Sequence, residues 1–298
     1  MGGGAWTTQS YTKALNSIGF NATVDSTTGY ASAVNLSSNN VGEFYKAHEL
    51  DKDLDPYMVK VRECRDSDEH PYTIPVILAL DVTGSMGSAC AAVAAKLDEI
   101  MSGLYEKVAD VEFMVMGIGD MSYDNAPLQV SQFESDVRIL DHLNKIYFER
   151  GGGGNGFESY TNAWYFGSRH TDLDCWKRGK KGIIITMGDE PLNPYLPQMA
   201  ILKNIGDKIE NDVDTAVLYD EVIEKYDVYH IAITDRATCY GWYKERIDKS
   251  FGKYLDSQHL LKSTSDELPK VISDIVINHE NVVTSNTGVT VTDEGIGW

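Results

Sequence analysis

Four short segments of the chain carry side chains that could do chemistry, and nearly all of these side chains offer oxygen. The segments are Asp81-Val-Thr-Gly-Ser85, Gly119-Asp-Met-Ser-Tyr-Asp124, residues 151–159 and Met187-Gly-Asp-Glu-Pro191. Their candidate ligands are carboxylates, hydroxyls and one amide: Asp81, Thr83, Ser85, Asp120, Asp124, Asn155, Glu158 and Asp189. Hard oxygen ligands select Mg²⁺, Mn²⁺ or Ca²⁺ over zinc. The sequence therefore predicts a divalent-cation site, with Mg²⁺ as the expected ion.

The spacing of Asp81, Thr83 and Ser85 is informative because these residues directly follow an apolar segment. A tight turn from strand to helix can aim three alternate side chains at one point, and Gly84 suits such a turn. A cation held by only one or two carboxylates stays electrophilic, so it could accept an oxygen from an acidic partner. The competing interpretation is that these short polar side chains only cap the following helix.

The elements that must position these segments alternate between strand and helix patterns. Continuous apolar runs predict buried strands over 75–80, 111–118, 182–186 and 228–234, and helical spacing predicts helices over 89–104, 136–144, 158–170, 216–225 and 267–277. We predict an α/β fold: a doubly wound, mostly parallel sheet with helices on both faces and one antiparallel edge strand over 128–133. Ligands of such sheets bind outside the carboxyl ends of the strands, so all four segments should meet at one edge.

The chain divides by composition into three parts. Residues 1–70 are predicted to be a polar, loop-rich N-terminal extension, since the first 42 residues contain only two charged side chains, Lys13 and Asp25. Such a segment would be draped over the core or partly disordered. Residues 71–280 form the predicted domain. Residues 281–298 form a C-terminal tail, which continues a Val-, Thr- and Gly-rich stretch from 278 that suits a strand pair or a free end.

The charge balance argues against several classes of partner. The chain has 26 Lys and Arg against 45 Asp and Glu, a net charge of −19. This charge repels phosphate backbones and anionic lipid, so neither nucleic acid nor membrane is expected as a partner. We find no basic start followed by an apolar stretch, and the four cysteines are widely scattered. These features favour a cytoplasmic protein with unpaired thiols.

The motif Asp81-x-Thr83-x-Ser85 after an apolar strand resembles the D-x-[ST]-x-S metal-ion-dependent adhesion site (MIDAS) of von Willebrand factor A (vWA) domains. The resemblance covers residues 75–277, two thirds of the chain, and implies that Asp189 matches the family's later aspartate. The chain departs from the family where paired glycines usually precede a threonine, because Gly151–Gly154 is followed by Asn155 and Glu158.

An intracellular bacterial and phage-like branch of vWA proteins combines D-x-T-G-S-M with a glycine-rich loop that carries a glutamate, and this chain looks more like that branch. The resemblance therefore implies Glu158 as the first choice for the remaining ligand and Asn155 as the second. Asp120 and Asp124 could support the ligands from behind or hold a second cation.

The resemblance implies a protein-binding adaptor rather than an enzyme. Its cation would bind an acidic side chain of a partner protein, for example beside an AAA+ ATPase. A second hypothesis is a structural protein that self-associates into a homo-oligomer through its N- and C-terminal segments. A third is a Mg²⁺-dependent phosphotransferase of the haloacid-dehalogenase type. Its nucleophile motif D-K-T-G-T resembles Asp81-Val-Thr-Gly-Ser85, and its G-D-x-x-x-D motif matches Gly119–Asp124, although the order of lysine and acidic motif opposes it.

Overall fold

A six-stranded sheet organises the chain in the computed structural model, which describes residues 6–36, 40–108, 110–149, 154–235 and 239–287, without the side chains of 41, 42, 88 and 280–287. The strands are β1 (Ala22–Val24), β2 (Ala31–Ala33), β3 (Arg62–Cys64), β4 (Ile74–Asp81), β5 (Val111–Ile118), β6 (Leu128–Glu134), β7 (Thr171–Leu173), β8 (Gly182–Gly188), β9 (Tyr195–Leu196), β10 (Val213–Asp214), β11 (Tyr226–Ile233) and β12 (Leu260–Ser263). The helices are α1 (Thr8–Ser17), α2 (Val41–Phe44), α3 (Gly87–Ala95), α4 (Leu97–Tyr105), α5 (Arg138–Lys145), α6 (Thr161–Arg169), α7 (Asp174–Lys177), α8 (Gln198–Asn204), α9 (Thr215–Lys225), α10 (Tyr240–Phe251) and α11 (Leu268–Thr287).

The main sheet has the strand order β12-β11-β8-β4-β5-β6. Every neighbouring pair is parallel except β5 and β6, which run antiparallel at the edge. Short two-stranded pairings join β1 with β2, β3 with β7, and β9 with β10. The predicted fold class, a mostly parallel α/β sheet with an antiparallel edge strand at β6, is confirmed.

The central strand β4 explains why its sequence is apolar without alternation. Val76, Leu78 and Leu80 pack into one hydrophobic cluster with α3, α4 and α11, whereas Ile77 and Ala79 pack into another with α6 and α9. A strand covered on both faces must be apolar at every position. The sheet is therefore doubly wound, and the carboxyl end of β4 opens at the edge where the predicted site lies.

Several helices differ from the sequence prediction. The predicted helix over 89–104 is broken at Lys96, which ends α3 and precedes α4 with non-helical backbone angles (φ −109°, ψ 17°). The helix predicted from residue 158 begins at Thr161. The prediction missed α10, whose buried residues are only Ile247 and Phe251, so its apolar periodicity is weak. It also missed β12, a four-residue edge strand.

The N-terminal segment, predicted to be loop-rich and draped over the core or partly disordered, contains more regular structure than expected. It has α1, the antiparallel pair of β1 and β2, and α2. Its apolar side chains Tyr11, Leu15 and Phe44 are fully buried in the same cluster as Val76 of β4. Few but well-placed apolar residues suffice for packing against helices, and a low average hydrophobicity hides them.

The end of the described chain also differs from expectation. The last helix, α11, was predicted to end at residue 277 but continues to Thr287. The expectation of a strand pair from residue 278 is therefore wrong for 278–287, and residues 288–298 lie outside the description. Cys64, Cys90 and Cys175 are buried, Cys239 is half-buried, and none of the four forms a disulfide in the described part of the chain. None of the described helices is long and apolar enough to cross a membrane.

Candidate metal site

Asp81 is the last residue of β4, and its carboxylate is fully buried. One oxygen, Oδ1, accepts hydrogen bonds from the Thr83 backbone N–H at 2.9 Å and from the Thr83 hydroxyl at 2.6 Å. The other, Oδ2, accepts a hydrogen bond from the Tyr160 hydroxyl at 3.0 Å. Thr83 in the turn after β4 therefore hydrogen-bonds back to one oxygen of Asp81, and Tyr160 holds the other oxygen.

Asp189 reaches the same place from the loop after β8. Its Oδ1 accepts a hydrogen bond from the Ser85 hydroxyl at 2.9 Å, and its Oδ2 accepts one from the Cys239 backbone N–H at 2.9 Å. The Ser85 and Thr83 hydroxyl oxygens are 3.3 Å apart. The structure thus brings the predicted residues Asp81, Thr83, Ser85 and Asp189 together as two hydroxyl–carboxylate hydrogen bonds whose hydroxyl oxygens lie side by side.

The helix-capping interpretation does not describe these side chains. Thr83 precedes a single 3₁₀ turn over Gly84–Met86, yet its side chain makes no capping hydrogen bond there. The two hydroxyls point instead at the carboxylates of Asp81 and Asp189. Asp189 likewise bonds across the site and is more than a turn residue before Pro191.

The chemistry of this donor set suits a small hard cation. Each hydroxyl directs its proton to a carboxylate, so the lone pairs of the Thr83 and Ser85 oxygens remain free to bind a cation. Two adjacent ligands of octahedral Mg²⁺ lie about 3 Å apart, as follows from metal–oxygen distances of about 2.1 Å. The observed 3.3 Å between the two hydroxyl oxygens is close to this spacing.

The electrostatics of the site also favour a cation. Burial raises the pKa of Asp81 well above its usual range, and the nearby Asp189 charge raises it further. Burial likewise raises the pKa of Asp189 and of its neighbour Glu190. In the described part of the chain, none of these carboxylates has a Lys or Arg nitrogen within 4 Å. Buried negative charge without a counter-charge is costly, and a bound dication would neutralise it.

Glu158 and Asn155, the two candidates for the remaining ligand, have different surroundings. Glu158 is buried, and its pKa is raised well above the usual range by burial and then by the Asp81 charge. Its backbone pairs with Leu192 beside the Asp189 loop. Asn155 is exposed, and its side-chain oxygen accepts the Phe157 backbone N–H at 3.0 Å. Glu158 therefore lies within electrostatic reach of Asp81, whereas Asn155 closes its own turn.

Asp120 and Asp124 form a neighbouring turn. Asp124 accepts the Asp120 backbone N–H at 2.7 Å, and Oδ1 of Asp120 accepts the Ser122 backbone N–H at 2.7 Å. Burial raises the pKa of Asp124 to about 6. Across the described ranges, no three His, Cys, Asp or Glu side chains group closely enough to hold a metal between them, either at this turn or around Asp81 and Asp189. A supporting role or a second cation at Asp120 and Asp124 stays a prediction.

Sequence reasoning missed Tyr160, which falls within the helix predicted over 158–170. Besides donating to Asp81, the Tyr160 hydroxyl fills the space beside Gly188, where an added Cβ would lie 1.8 Å from it. Gly188 is therefore required because the tyrosine passes directly over its backbone. A glycine immediately before the candidate ligand Asp189 was the one signal that could have revealed this packing.

Comparisons with known proteins give a likeness at the level of the fold. No protein-family model matches the chain, and no curated protein matches it in sequence. The pilus adhesin SpaC from Lactobacillus rhamnosus GG aligns over 75% of this chain with 11% identity and a TM-score of 0.47, and this chain spans about a third (32%) of that structure.

Two further solved structures show similar values. The vWF domain of the type V pili tip protein Mfa5 from Porphyromonas gingivalis aligns over 74% of this chain and 99% of its own length, with 12% identity and a TM-score of 0.41. A mutant of the PilB minor pilin from Streptococcus sanguinis aligns over 75% of this chain and 65% of its own, with 12% identity and a TM-score of 0.48. At these values the likenesses do not assign the chain to a family.

Proposed function

We propose that this protein is a metal-ion-dependent protein-binding module whose cation, most simply Mg²⁺, is held at the carboxyl end of β4. The observation that carries the proposal is the convergence of Asp81, Thr83, Ser85 and Asp189. The Thr83 and Ser85 hydroxyls donate to Asp81 and Asp189, their oxygens lie 3.3 Å apart, and the Ser85–Asp189 bond joins two loops more than 100 residues apart. Oxygen donors converging from separate loops at the carboxyl edge of a parallel sheet are typical of a ligand site.

Each residue has a distinct part in this proposal. Thr83 and Ser85 would bind the cation through their hydroxyl oxygens, because their protons are already committed to carboxylates. Asp81 and Asp189 would supply the balancing charge, and Tyr160 holds Asp81 in position. Glu158 would add charge from the neighbouring loop. When bound, the dication supplies a positive centre that can accept an oxygen of a partner's acidic side chain.

A binding role is proposed over catalysis because the four residues offer two carboxylates and two hydroxyls and no histidine. The phosphotransferase hypothesis requires turnover that depends on Asp81. A phosphatase assay with a generic aryl phosphate in Mg²⁺ tests it, and activity lost in Asp81→Asn would replace the present proposal. Association with an AAA+ ATPase and a cytoplasmic location stay hypotheses drawn from the sequence.

The direct test is cation binding by the full chain, measured by calorimetry and by melting temperature in Mg²⁺ or Mn²⁺ after removal of metals with a chelator. We expect Mg²⁺ to raise the melting temperature, and Asp81→Asn and Asp189→Asn to abolish the gain. Asp141→Asn, which changes an exposed aspartate of α5, is the matched control and should keep the gain. Equal melting of the unmodified protein in Mg²⁺ and in chelator would overturn the proposal.

The same measurement separates Glu158 from Asn155. We expect Glu158→Gln to weaken Mg²⁺ binding by about tenfold, because it removes a buried negative charge near Asp81. Asn155→Ala should change the affinity less than about threefold, since its side chain is exposed and bonded to its own loop. The reverse order would make Asn155 the ligand.

Self-association is the second candidate function, and it is measured separately. In the structure the N-terminal segment packs within its own chain, where the Trp6 indole N–H donates to Asp98. Light scattering after size exclusion, with the full chain and without residues 1–42, tests whether this segment exchanges between subunits. A dimer of the full chain that is lost on truncation would favour the assembly hypothesis.

A further inference from the structure

Arg246 is an exposed arginine of α10 that is nevertheless held in one place. Its guanidinium lies 4.9 Å from the centroid of the Phe157 ring and 4.9 Å from that of the Tyr243 ring. Its Nη2 donates a hydrogen bond to the Gly156 carbonyl at 3.0 Å. Stacking on aromatic rings orients an arginine while leaving the edge of its planar group free to bind.

The backbone of the neighbouring loop is shaped to receive this arginine. Gly156 has a positive φ of 67°, a conformation that favours glycine. A Cβ at this position would lie 3.0 Å from Arg246 Nη1 and 3.0 Å from the Tyr243 hydroxyl. The glycine therefore lets the loop that carries Phe157 and Glu158 approach the guanidinium closely.

Arg246 forms no direct ion pair within the described ranges. It forms one hydrogen bond, to a neutral carbonyl, and no carboxylate oxygen lies within 4 Å of it. Its charge acts at longer range on Glu190, whose pKa it lowers. A guanidinium has five N–H donors, so most of them remain available.

The position of Arg246 relates it to the candidate metal site. The backbone N–H of Cys239, which immediately precedes α10, donates to Asp189. Arg246 lies seven residues further, or about 10 Å along a helix. The ring beneath its guanidinium belongs to Phe157, the residue next to Glu158. The guanidinium thus borders the acidic site without pairing with its carboxylates.

We propose that Arg246 is a second anchor for the partner, which would be an acidic peptide segment carrying two carboxylates, one for the cation and one for Arg246. The inference rests on the proposed function, because the first carboxylate needs the bound cation. The spacing of the two acids depends on the distance between the cation and the guanidinium, so the test covers a range of spacings. A planar guanidinium can bind such a carboxylate with two parallel hydrogen bonds.

The test uses labelled peptides with one aspartate, or with two aspartates separated by zero to five Gly or Ser residues. Binding to the full chain is measured by fluorescence anisotropy in Mg²⁺ and in chelator. We expect the best two-acid peptide to bind at least about tenfold more tightly than the one-acid peptide. Arg246→Gln should remove this gain, Arg246→Lys should keep part of it, and Lys244→Gln, an exposed cation of the same helix, should leave it intact.

A second readout separates partner binding from a role in holding the loop. If Arg246 contacts the partner, Arg246→Gln does not weaken the affinity for Mg²⁺ alone, because the charge that it removes near Glu190 is positive. If it only positions the loop that carries Glu158, Mg²⁺ binding weakens while the two-acid gain survives, which overturns the proposal.

The remaining outcomes are also decisive. Mg²⁺-dependent binding with no preference for two acids, or no peptide binding while Mg²⁺ still raises the melting temperature, overturns this inference and leaves the cation site standing. A protein that does not respond to Mg²⁺ at all removes both proposals.

Discussion

Two aspartates of this protein, Asp81 and Asp98, are both fully buried, yet their surroundings differ. Asp98 in α4 accepts hydrogen bonds from the Trp6 indole N–H at 2.6 Å, the Ala31 backbone N–H at 2.7 Å and the Ser102 hydroxyl at 3.0 Å. Two of these donors belong to the N-terminal segment, so Asp98 fastens that segment to the domain.

Asp81 also accepts three hydrogen bonds, but further acids lie around it. Its neighbours Asp189 and Glu190 raise its pKa beyond the effect of burial, and it raises that of Glu158 in turn. The comparison teaches that neither burial nor hydrogen bonding of a carboxylate by itself indicates function. The further acids around Asp81 are what favours a cation there.

The largest expected effect contrasts the two aspartates directly. Asp98→Ala should lower the free energy of unfolding by about 3 kcal/mol, because it leaves the Trp6 and Ala31 donors buried without an acceptor. Asp81→Asn in metal-free protein should change it by about 1 kcal/mol or less, since the substitution also removes repulsion from Asp189. Urea denaturation measures both. Equal losses would show that the two carboxylates have the same structural role.

A smaller effect tests how rigidly the site is built. Gly188→Ala should cost about 2 kcal/mol, because the new Cβ would overlap the Tyr160 hydroxyl at 1.8 Å. Gly241→Ala is the matched control: nothing lies within 4 Å of its added Cβ, so the change should be neutral or stabilising by up to about 1 kcal/mol. Melting curves of both variants, with and without Mg²⁺, provide the measurement. A neutral Gly188→Ala would mean that Tyr160 moves aside easily.

A third variant tests whether the N-terminal segment influences the site. The buried Tyr45 hydroxyl donates to the Cys90 carbonyl in α3 at 3.1 Å, and the Cys90 thiol donates to the Asp81 carbonyl at 3.2 Å. Tyr45→Phe should cost about 1 kcal/mol of stability and leave Mg²⁺ affinity unchanged. The control Tyr57→Phe changes an exposed tyrosine and should alter neither stability nor Mg²⁺ affinity. A fall in Mg²⁺ affinity for Tyr45→Phe alone would show that the two regions are coupled.

The smallest expected effect concerns pH. The pKa of Asp124 is about 6 in the folded chain against 3.8 for an unperturbed aspartate, and those of Asp81, Asp189 and Glu158 are also raised. The folded state thus keeps protons that the unfolded state loses, so the contribution of these groups to stability falls as pH rises from about 4 to 6 and above.

Because Mg²⁺ competes with these protons, it should raise the melting temperature more at pH 7.5 than at pH 5.5. Asp81→Asn should remove the difference between the two pH values. A shift of the same size at both values would indicate that the cation binds elsewhere.

Much of the fold could be predicted from the sequence because the signals were local. The buried strands β4, β5, β8 and β11 were recognisable as short apolar runs, and β6 as an edge strand. The helix α10 was missed because it buries only Ile247 and Phe251. The N-terminal segment was misjudged for a similar reason: its anchors Trp6, Tyr11 and Phe44 are single residues within polar sequence.

By itself, the sequence predicted the buried strands and the positions of Asp81, Thr83, Ser85 and Asp189 at their carboxyl ends, since apolar runs and loop composition are local patterns. Only the tertiary structure decided how these residues meet, through the Ser85–Asp189 hydrogen bond, and which neighbours support them, through Tyr160, Cys239 and Arg246. The physical reason is distance along the chain. Contacts between residues 50 to 104 positions apart depend on packing of the whole domain, and no local pattern encodes them.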